Sequence, residues 1–272
     1  MKKEGWVEVI GRAAAALTGL ANYGNPVHIL LHRLFTKNRE MTISDRRTGV
    51  SVRALRQSYH MFSETWYLHD YDVSACAIRP QDVVVDIGAN QGFFTCYAAQ
   101  RGARVYSFEP HPKMFELLGR NVASNGFSHL VSMDCAAIAD FEDETDLICS
   151  PLLGGGANTI SPEHADAVHA SQKETSRVRV KVKRLGSAIP QNVRVRLLKI
   201  DCEGAELAIL RDLKDPGRFD SMAIEFHPDA YSVDTLIRAI LAFETHQVYA
   251  VHGHIIHAIR TETLLEQSGK MR

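Results

Sequence analysis

The sequence predicts an α/β fold: a mostly parallel sheet with helices on both faces, closed by an antiparallel hairpin and preceded by an N-terminal helical extension. Three observations carry this. From about residue 76 onward, strand-like and helix-like segments alternate, the signature of a parallel sheet with crossover helices. The first apolar run of that region, VVVDIGANQGFF (83–94), stops at an aspartate followed by two glycines four residues apart. The last segments, HQVYAVHGHIIHAI, read as two strands that turn near Gly253. A length of 272 residues suits one large domain with an extension. The boundary falls between an extension or cap over 1–75 and the sheet domain over 76–272.

The chain opens with a basic MKK and an apolar AAAALTGLA, the makings of a secretory leader. Glu4, Glu8 and Arg12 interrupt that pattern, and Trp6, Val9, Ile10, Ala13, Leu17 and Leu20 recur at helical spacing, which favours a packed amphipathic helix. Gly24, Asn25 and Pro26 break it, and the rest of 1–75 reads as helices and loops. Tyr59, Phe62, Trp66 and Tyr67 cluster there, with packing as their default role. Residues 83–87 form a β-branched strand and 92–101 a helix. A strand over 103–108, a helix over 113–125 ended by Gly126, and a strand over 130–134 follow. RVRVKVKR (177–184) alternates perfectly: Arg177, Arg179, Lys181 and Lys183 face one way, and Val178, Val180 and Val182 the other. That is a half-buried strand whose charges keep an exposed edge soluble, or else attract an anionic acceptor. Strands over 195–200 and 222–226, a helix over 234–244 and the final hairpin complete the chain.

Composition narrows the function classes. The chain is 45% hydrophobic and 23% charged with a net charge of −1, so no global field draws nucleic acid or an anionic membrane. Five cysteines (76, 96, 135, 149 and 202) form no CxxC pair and are odd in number. Reduced thiols in a cytoplasmic protein fit this better than a disulfide framework or a zinc site. No run reaches the length of a transmembrane span.

The chemistry lies at the strand ends. In an open α/β sheet, ligands sit beyond the carboxyl ends of the strands. Gly88 lets the chain turn tightly there and lets a ligand approach the backbone, and Gly92 opens the next helix with its free N–H groups. The GxGxxG of dinucleotide binding is absent, which disfavours a nicotinamide oxidoreductase. Glu109 ends the second strand in YSFEP, 21 residues after Gly88, where a carboxylate can accept hydrogen bonds from both hydroxyls of a ribose.

On these residues the sequence resembles the FkbM family of S-adenosylmethionine-dependent methyltransferases. The resemblance is carried by VVDIGANQGFFT (84–95), YSFEPHP (106–112), NVASNG (121–126), LLKIDCEGAELAIL (197–210) and IEFHP (224–228). It implies a Rossmann-like class I methyltransferase fold, whose sheet ends in such a hairpin. It implies S-adenosylmethionine as donor and a hydroxyl of a sugar, glycan or secondary metabolite as acceptor. Asp86, Gly88, Asn90, Gly92 and Glu109 are then the donor-binding residues, with Asp134 or the residues just after it meeting the adenine.

Methyl transfer to a hydroxyl needs an acceptor oxygen placed in line, and a base for its proton. LLKIDCEGAE supplies Lys199, Asp201, Glu203 and Glu206; IEFHP supplies Glu225 and His227. His227 is the expected proton acceptor, since histidine titrates near neutral pH. Asp201 orients it or holds the acceptor. The competing reading is structural: Asp201 or Glu203 caps a helix. Carboxylates beside a histidine could also bind Mg²⁺, but no ligand spacing demands it, and no metal is expected. PLLGGGANTIS (151–161) reads as a lid offering Asn158 and Thr159 to the substrate, or as a surface loop. His252, His254 and His257 read as solvated or core-edge residues. The expected partner is a small-molecule acceptor, not nucleic acid, and a homo-oligomer is open. Two rival functions are methylation of a small amine, and donor binding without transfer.

Overall fold

A computed structural model describes residues 23–24, 40–55, 58–150, 158–161 and 175–269. The expected helix over 6–20 and the glycines of the expected lid lie outside the described residues. The extension differs from the helices and loops expected of it. Its described part holds a hairpin of β1 (Glu40–Ser44) and β2 (Ser51–Leu55), followed by α1 (Tyr59–Ser63), which continues as a wide π-type turn over Glu64–Leu68. The hairpin was illegible because its strands are short and polar on one face, EMTIS and SVRAL.

The central sheet has seven strands in the order β11-β12-β10-β9-β3-β4-β5. They are β3 (Val83–Ile87), β4 (Arg104–Phe108), β5 (Val131–Asp134), β9 (Leu197–Ile200), β10 (Ser221–Glu225), β11 (His246–His252) and β12 (Ile255–Arg260). The first five run parallel, and β12 pairs antiparallel with β10 and β11. The expected terminal hairpin is therefore present. β3 and β9 are buried almost throughout, as parallel strands covered on both faces must be.

Helices α2 (Phe93–Gln100), α3 (Pro112–Ser124), the short α4 (Leu185–Ala188), α5 (Glu206–Asp212), α6 (Val233–Leu241) and α7 (Thr261–Gly269) accompany the strands. Alternation along β3 splits the core. Val84 joins Phe93, Tyr97 and Leu118 on one face, and Val85 and Ile87 join Leu198, Ile200, Leu236 and Ile256 on the other. The first cluster runs without a break into Ile43, Val52, Phe62 and Trp66, so packing does not stop at residue 75. Phe62 stacks on Trp66, which meets Tyr97 edge-on at 5.5 Å; these aromatics are core.

Side-chain amides complete the seam with the hairpin. Asn125 accepts from Ser51 N and donates to Ser51 O. Asn121, one helical turn earlier, does the same for Arg53 at 2.7 and 2.9 Å. Gln91 Oε1 accepts from Leu55 N at 2.6 Å. Alternate residues of β2 thus find their partners on three amides instead of a third strand.

A second, three-stranded sheet, β6-β8-β7, is built from β6 (Ala136–Ala139), β7 (Asp143–Cys149) and β8 (Ser176–Arg184). The alternating basic strand is β8, and it is the middle strand of this sheet rather than the edge the charges suggested. Its cations face acids of the neighbouring β7, with Arg177 3.7 Å from Asp146 and Arg179 3.6 Å from Glu144. No helix among the described residues is long and apolar enough to cross a membrane. The five cysteines are unpaired.

Candidate functional site

The turn after β3 answers what the two glycines are for. Gly88 has φ +75°, and a Cβ there would sit 1.7 Å from the Asp201 carbonyl oxygen. The turns after β3 and β9 are pressed together, and Asp201 N donates to Ile87 O at 3.1 Å. Gly92 serves a different contact: its Cβ would lie 2.7 Å from Leu118, so this glycine lets α2 and α3 close rather than lining the cleft. Asn90 takes the left-handed φ of 50°, and its N–H donates to Glu109 Oε2 at 2.8 Å. His111 N donates to the other oxygen, Oε1, at the same distance. Glu109 is 6% exposed; burial pushes its carboxyl up to about 7, with the two backbone N–H groups pulling the other way.

These groups open on one cleft. Gly88, Asn90 and Glu109 line it, with Phe108, Ala137 and Ile138 as apolar walls and Asp201 and Glu203 at the far side. Asp134 is not among its lining residues. It ends β5 and pairs with Lys183, and the wall beyond it is made by the residues just after, Ala136 to Ile138.

Beneath the cleft lies a buried cation. Lys199, on β9, is 3.1 Å from Asp86 Oδ1 and 3.3 Å from Asp201 Oδ2, and donates to Gly88 O at 3.1 Å. Burial alone would lower its pKa, but Asp86 and Asp201 raise it above the ordinary lysine value. It remains charged and ties the turn after β3 to the Asp201 carboxylate, so it holds the two turns together. Asp86 is fully buried and also accepts from Thr95 Oγ1 at 2.6 Å.

On the far side, Asp201 directly follows β9 and Glu225 is the last residue of the neighbouring β10, Ile224 pairing with Ile200. Tyr71 bridges them, donating to Glu225 Oε2 at 2.7 Å and standing 3.3 Å from Asp201 Oδ2. The charge of Asp201, then burial, raises the Glu225 carboxyl to about 8.

His227 departs from expectation. Its Nδ1 meets Glu206 at 3.0 Å and its Nε2 meets Glu203 at 3.3 Å. Burial disfavours the charged ring, but the Glu206 hydrogen bond and the charge of Glu203 outweigh it and push the pKa up to about 10. An imidazolium has no lone pair for an incoming proton, so the expected base is a cation at neutral pH. Glu206 is the reason: it is 0% exposed, accepts from Cys202 N and Gly204 N, and takes the Tyr231 hydroxyl. The second glutamate of the EGAE segment therefore builds the turn, and Glu203 rides on it with a left-handed φ of 57°.

Thr159 also departs from expectation. It is fully buried and donates to Glu203 O at 2.6 Å, so it pins the turn instead of meeting a substrate. Asn158 does line the cleft, while its Oδ1 accepts from Ser150 N. Sequence reasoning missed Tyr71, which lies outside every motif, and Gln91, whose contacts are set by a hairpin 36 residues away. One carboxylate oxygen each from Asp201 and Glu225 and a ring nitrogen of His227 lie within 4.8 Å of one another, a group that could hold a metal among the described residues.

A family profile described as "Methyltransferase FkbM domain" matches residues 86–251. The chain is 27% identical over 205 residues to "Methyltransferase sdnD" of Sordaria araneosa, covering 66% of this chain and 78% of that one. It is 29% identical over 165 residues to "31-O-demethyl-FK506 methyltransferase FkbM" of Streptomyces tacrolimicus, covering 51% of this chain and 62% of that one. Among solved structures, a methyltransferase FkbM from Methylobacillus flagellatus KT aligns with 93% of this chain and 60% of its own, at 14% identity and a TM-score of 0.45.

Proposed function

The chain belongs to the FkbM methyltransferase family, and from that premise we propose that it transfers a methyl group from S-adenosylmethionine to a hydroxyl of a small molecule, a sugar, glycan or secondary metabolite. One observation supports oxygen as the acceptor: Asp201, which lines the donor cleft, is bridged by Tyr71 to the Glu225 carboxylate on the neighbouring strand. A hydroxyl nucleophile must shed a proton, and two carboxylates that repel each other bind one readily. The Streptomyces tacrolimicus relative, by its name, methylates an oxygen.

The residues of the cleft suit the donor. Gly88 presents bare backbone to its amino-acid end, beside Asn90. Glu109 holds each oxygen by a single backbone N–H, leaving lone pairs for two ribose hydroxyls. Phe108, Ala137 and Ile138 flank the purine. When bound, S-adenosylmethionine supplies a methyl group on a sulfonium with a good leaving thioether. The protein's work is then to exclude water, align the acceptor oxygen and take its proton on the Asp201–Glu225 pair. Lys199 keeps that pair in register with the donor turn, and Met61 of α1, in the described part of the extension, lines the cleft.

The test is to incubate the purified chain with methyl-labelled S-adenosylmethionine and a metabolite extract, and to search for labelled products by mass spectrometry. A labelled ether or glycoside supports the reading. A labelled amine, formed at a rate that tracks the amine's own ionisation, replaces it with N-methylation. Donor binding without product points to a module that binds and does not transfer.

A further inference from the structure

The carboxyl ends of β9 and β10 concentrate acid. Asp201, Glu203, Glu206 and Glu225 there, with Asp86 of β3 beside them, face two cationic side chains, Lys199 and His227. Lys199 is spoken for, being 4% exposed and shared between Asp86 and Asp201. The remaining acids gather round one imidazole, and three of these side chains can each point a donor atom at a common centre, since all three atoms fall within 4.8 Å of one another.

The imidazole has a second feature that bears on this. Its Nδ1 is fixed by Glu206, a carboxylate with no exposed surface that is itself held by Cys202 N, Gly204 N and Tyr231. A buried carboxylate on one ring nitrogen is how proteins orient a histidine whose other nitrogen binds a metal. Here that other nitrogen, Nε2, lies on the Glu203 side. Glu203, whose backbone is left-handed, brings its Oε2 to 3.3 Å from that nitrogen.

We propose that Asp201, Glu225 and His227 form a divalent-cation site, with Glu203 as an outer or replaceable ligand. Two carboxylate oxygens suit Mn²⁺ or Mg²⁺, the imidazole nitrogen favours Mn²⁺ of the two, and three protein ligands leave positions for water or an acceptor oxygen. Metal binding displaces the ring proton from Nε2 to solvent, so the imidazole coordinates as the neutral base with Nδ1–H still on Glu206. The inference rests on the methyl-transfer reading for what the ion does. Asp201 lines the donor cleft, so an acceptor hydroxyl there can enter the metal's open position. With the ion bound, Asp201 and Glu225 serve as its ligands instead of as the proton acceptor: the acceptor's O–H bond breaks, its proton passing to water, as the O–C bond forms and the methyl C–S bond breaks to release S-adenosylhomocysteine.

The experiment is a Mn²⁺ titration of the full chain followed by the electron paramagnetic resonance of the free ion. The expected result is one saturable Mn²⁺ per chain, competed by Mg²⁺. Asp201→Asn, Glu225→Gln and His227→Asn should each weaken it at least tenfold, and the surface control Asp146→Asn should leave it unchanged. No saturable Mn²⁺, or binding that ignores all three substitutions, overturns the site. Titration of each variant with S-adenosylhomocysteine shows that the donor cleft is still folded. It also separates the two claims: donor binding without Mn²⁺ sinks the metal alone, and Mn²⁺ binding without the donor sinks the methyl-transfer reading.

Discussion

Replacing Asn121 should cost the protein a large part of its stability, although the residue touches neither the donor nor the carboxylates. Its side chain is 1% exposed and makes three hydrogen bonds that bridge separate parts of the chain. Oδ1 accepts from Arg53 N at 2.7 Å, and Nδ2 donates to Arg53 O at 2.9 Å and to Gln91 O at 2.8 Å. At about 1 kcal/mol net for each, Asn121→Ala loses about 3 kcal/mol before counting any backbone group left without a partner. For a chain of this size that is a fall in Tm of about 6–12 °C. Asn121→Asp is the sharper variant. It is nearly isosteric and keeps the acceptor, but above its pKa it aims a carboxylate oxygen at two carbonyls. It should be at least as damaging as alanine at pH 7. Urea unfolding followed by the fluorescence of Trp66, which is 3% exposed in the cluster behind the hairpin, reads both. An aspartate variant within 1 kcal/mol of the parent would refute the claim that side-chain amides hold β2 in place.

Four further outcomes follow from the site. Glu109→Gln should weaken S-adenosylhomocysteine binding at least tenfold by calorimetry, because one acceptor oxygen becomes a donor. In the parent, donor affinity should climb with pH and level off above about 7 as Glu109 ionises, and the glutamine variant should lose that dependence. The raised pKa of Glu109 has the opposite sign for the unliganded fold. Its contribution is fully present below the usual 4.5 and fades as pH rises to about 7, which urea midpoints across that range will show. Glu225→Gln should lower kcat by about 10²–10⁴-fold while leaving donor affinity within threefold, and equal losses in both would remove it from the chemistry. Lys199→Met strands Asp86 in the core and should destabilise the fold by about 3–5 kcal/mol, measured by urea unfolding.

The sheet was legible because its signals are local. A β-branched run, a glycine that must turn and an acid closing the next strand all sit within a few residues of one another, so β3, β4 and the Glu109 position follow from patterning and the resemblance together. The terminal hairpin was legible for the same reason, through Gly253. What the chain concealed depends on partners far away in sequence. Tyr71 reaches Glu225 across 154 positions, and Asn125 reaches Ser51 across 74. His227 has the residue type of a base, and only its two carboxylate neighbours turn it into a cation. β8 has the alternation of an edge strand, and only the strands on either side of it make it a central one.

The three amides along β2 also bear on how the protein fails. A two-stranded hairpin usually exposes a row of backbone donors and acceptors, which is a template for a strand from another chain. Here Gln91, Asn121 and Asn125 occupy that row, each with one side chain in place of a residue of continuous β-strand. Losing one amide therefore uncovers sticky backbone as well as loosening the fold. Damaged or mutated copies should leave solution as aggregates before they unfold as monomers, so soluble yield on storage is a more sensitive gauge of this seam than a melting curve.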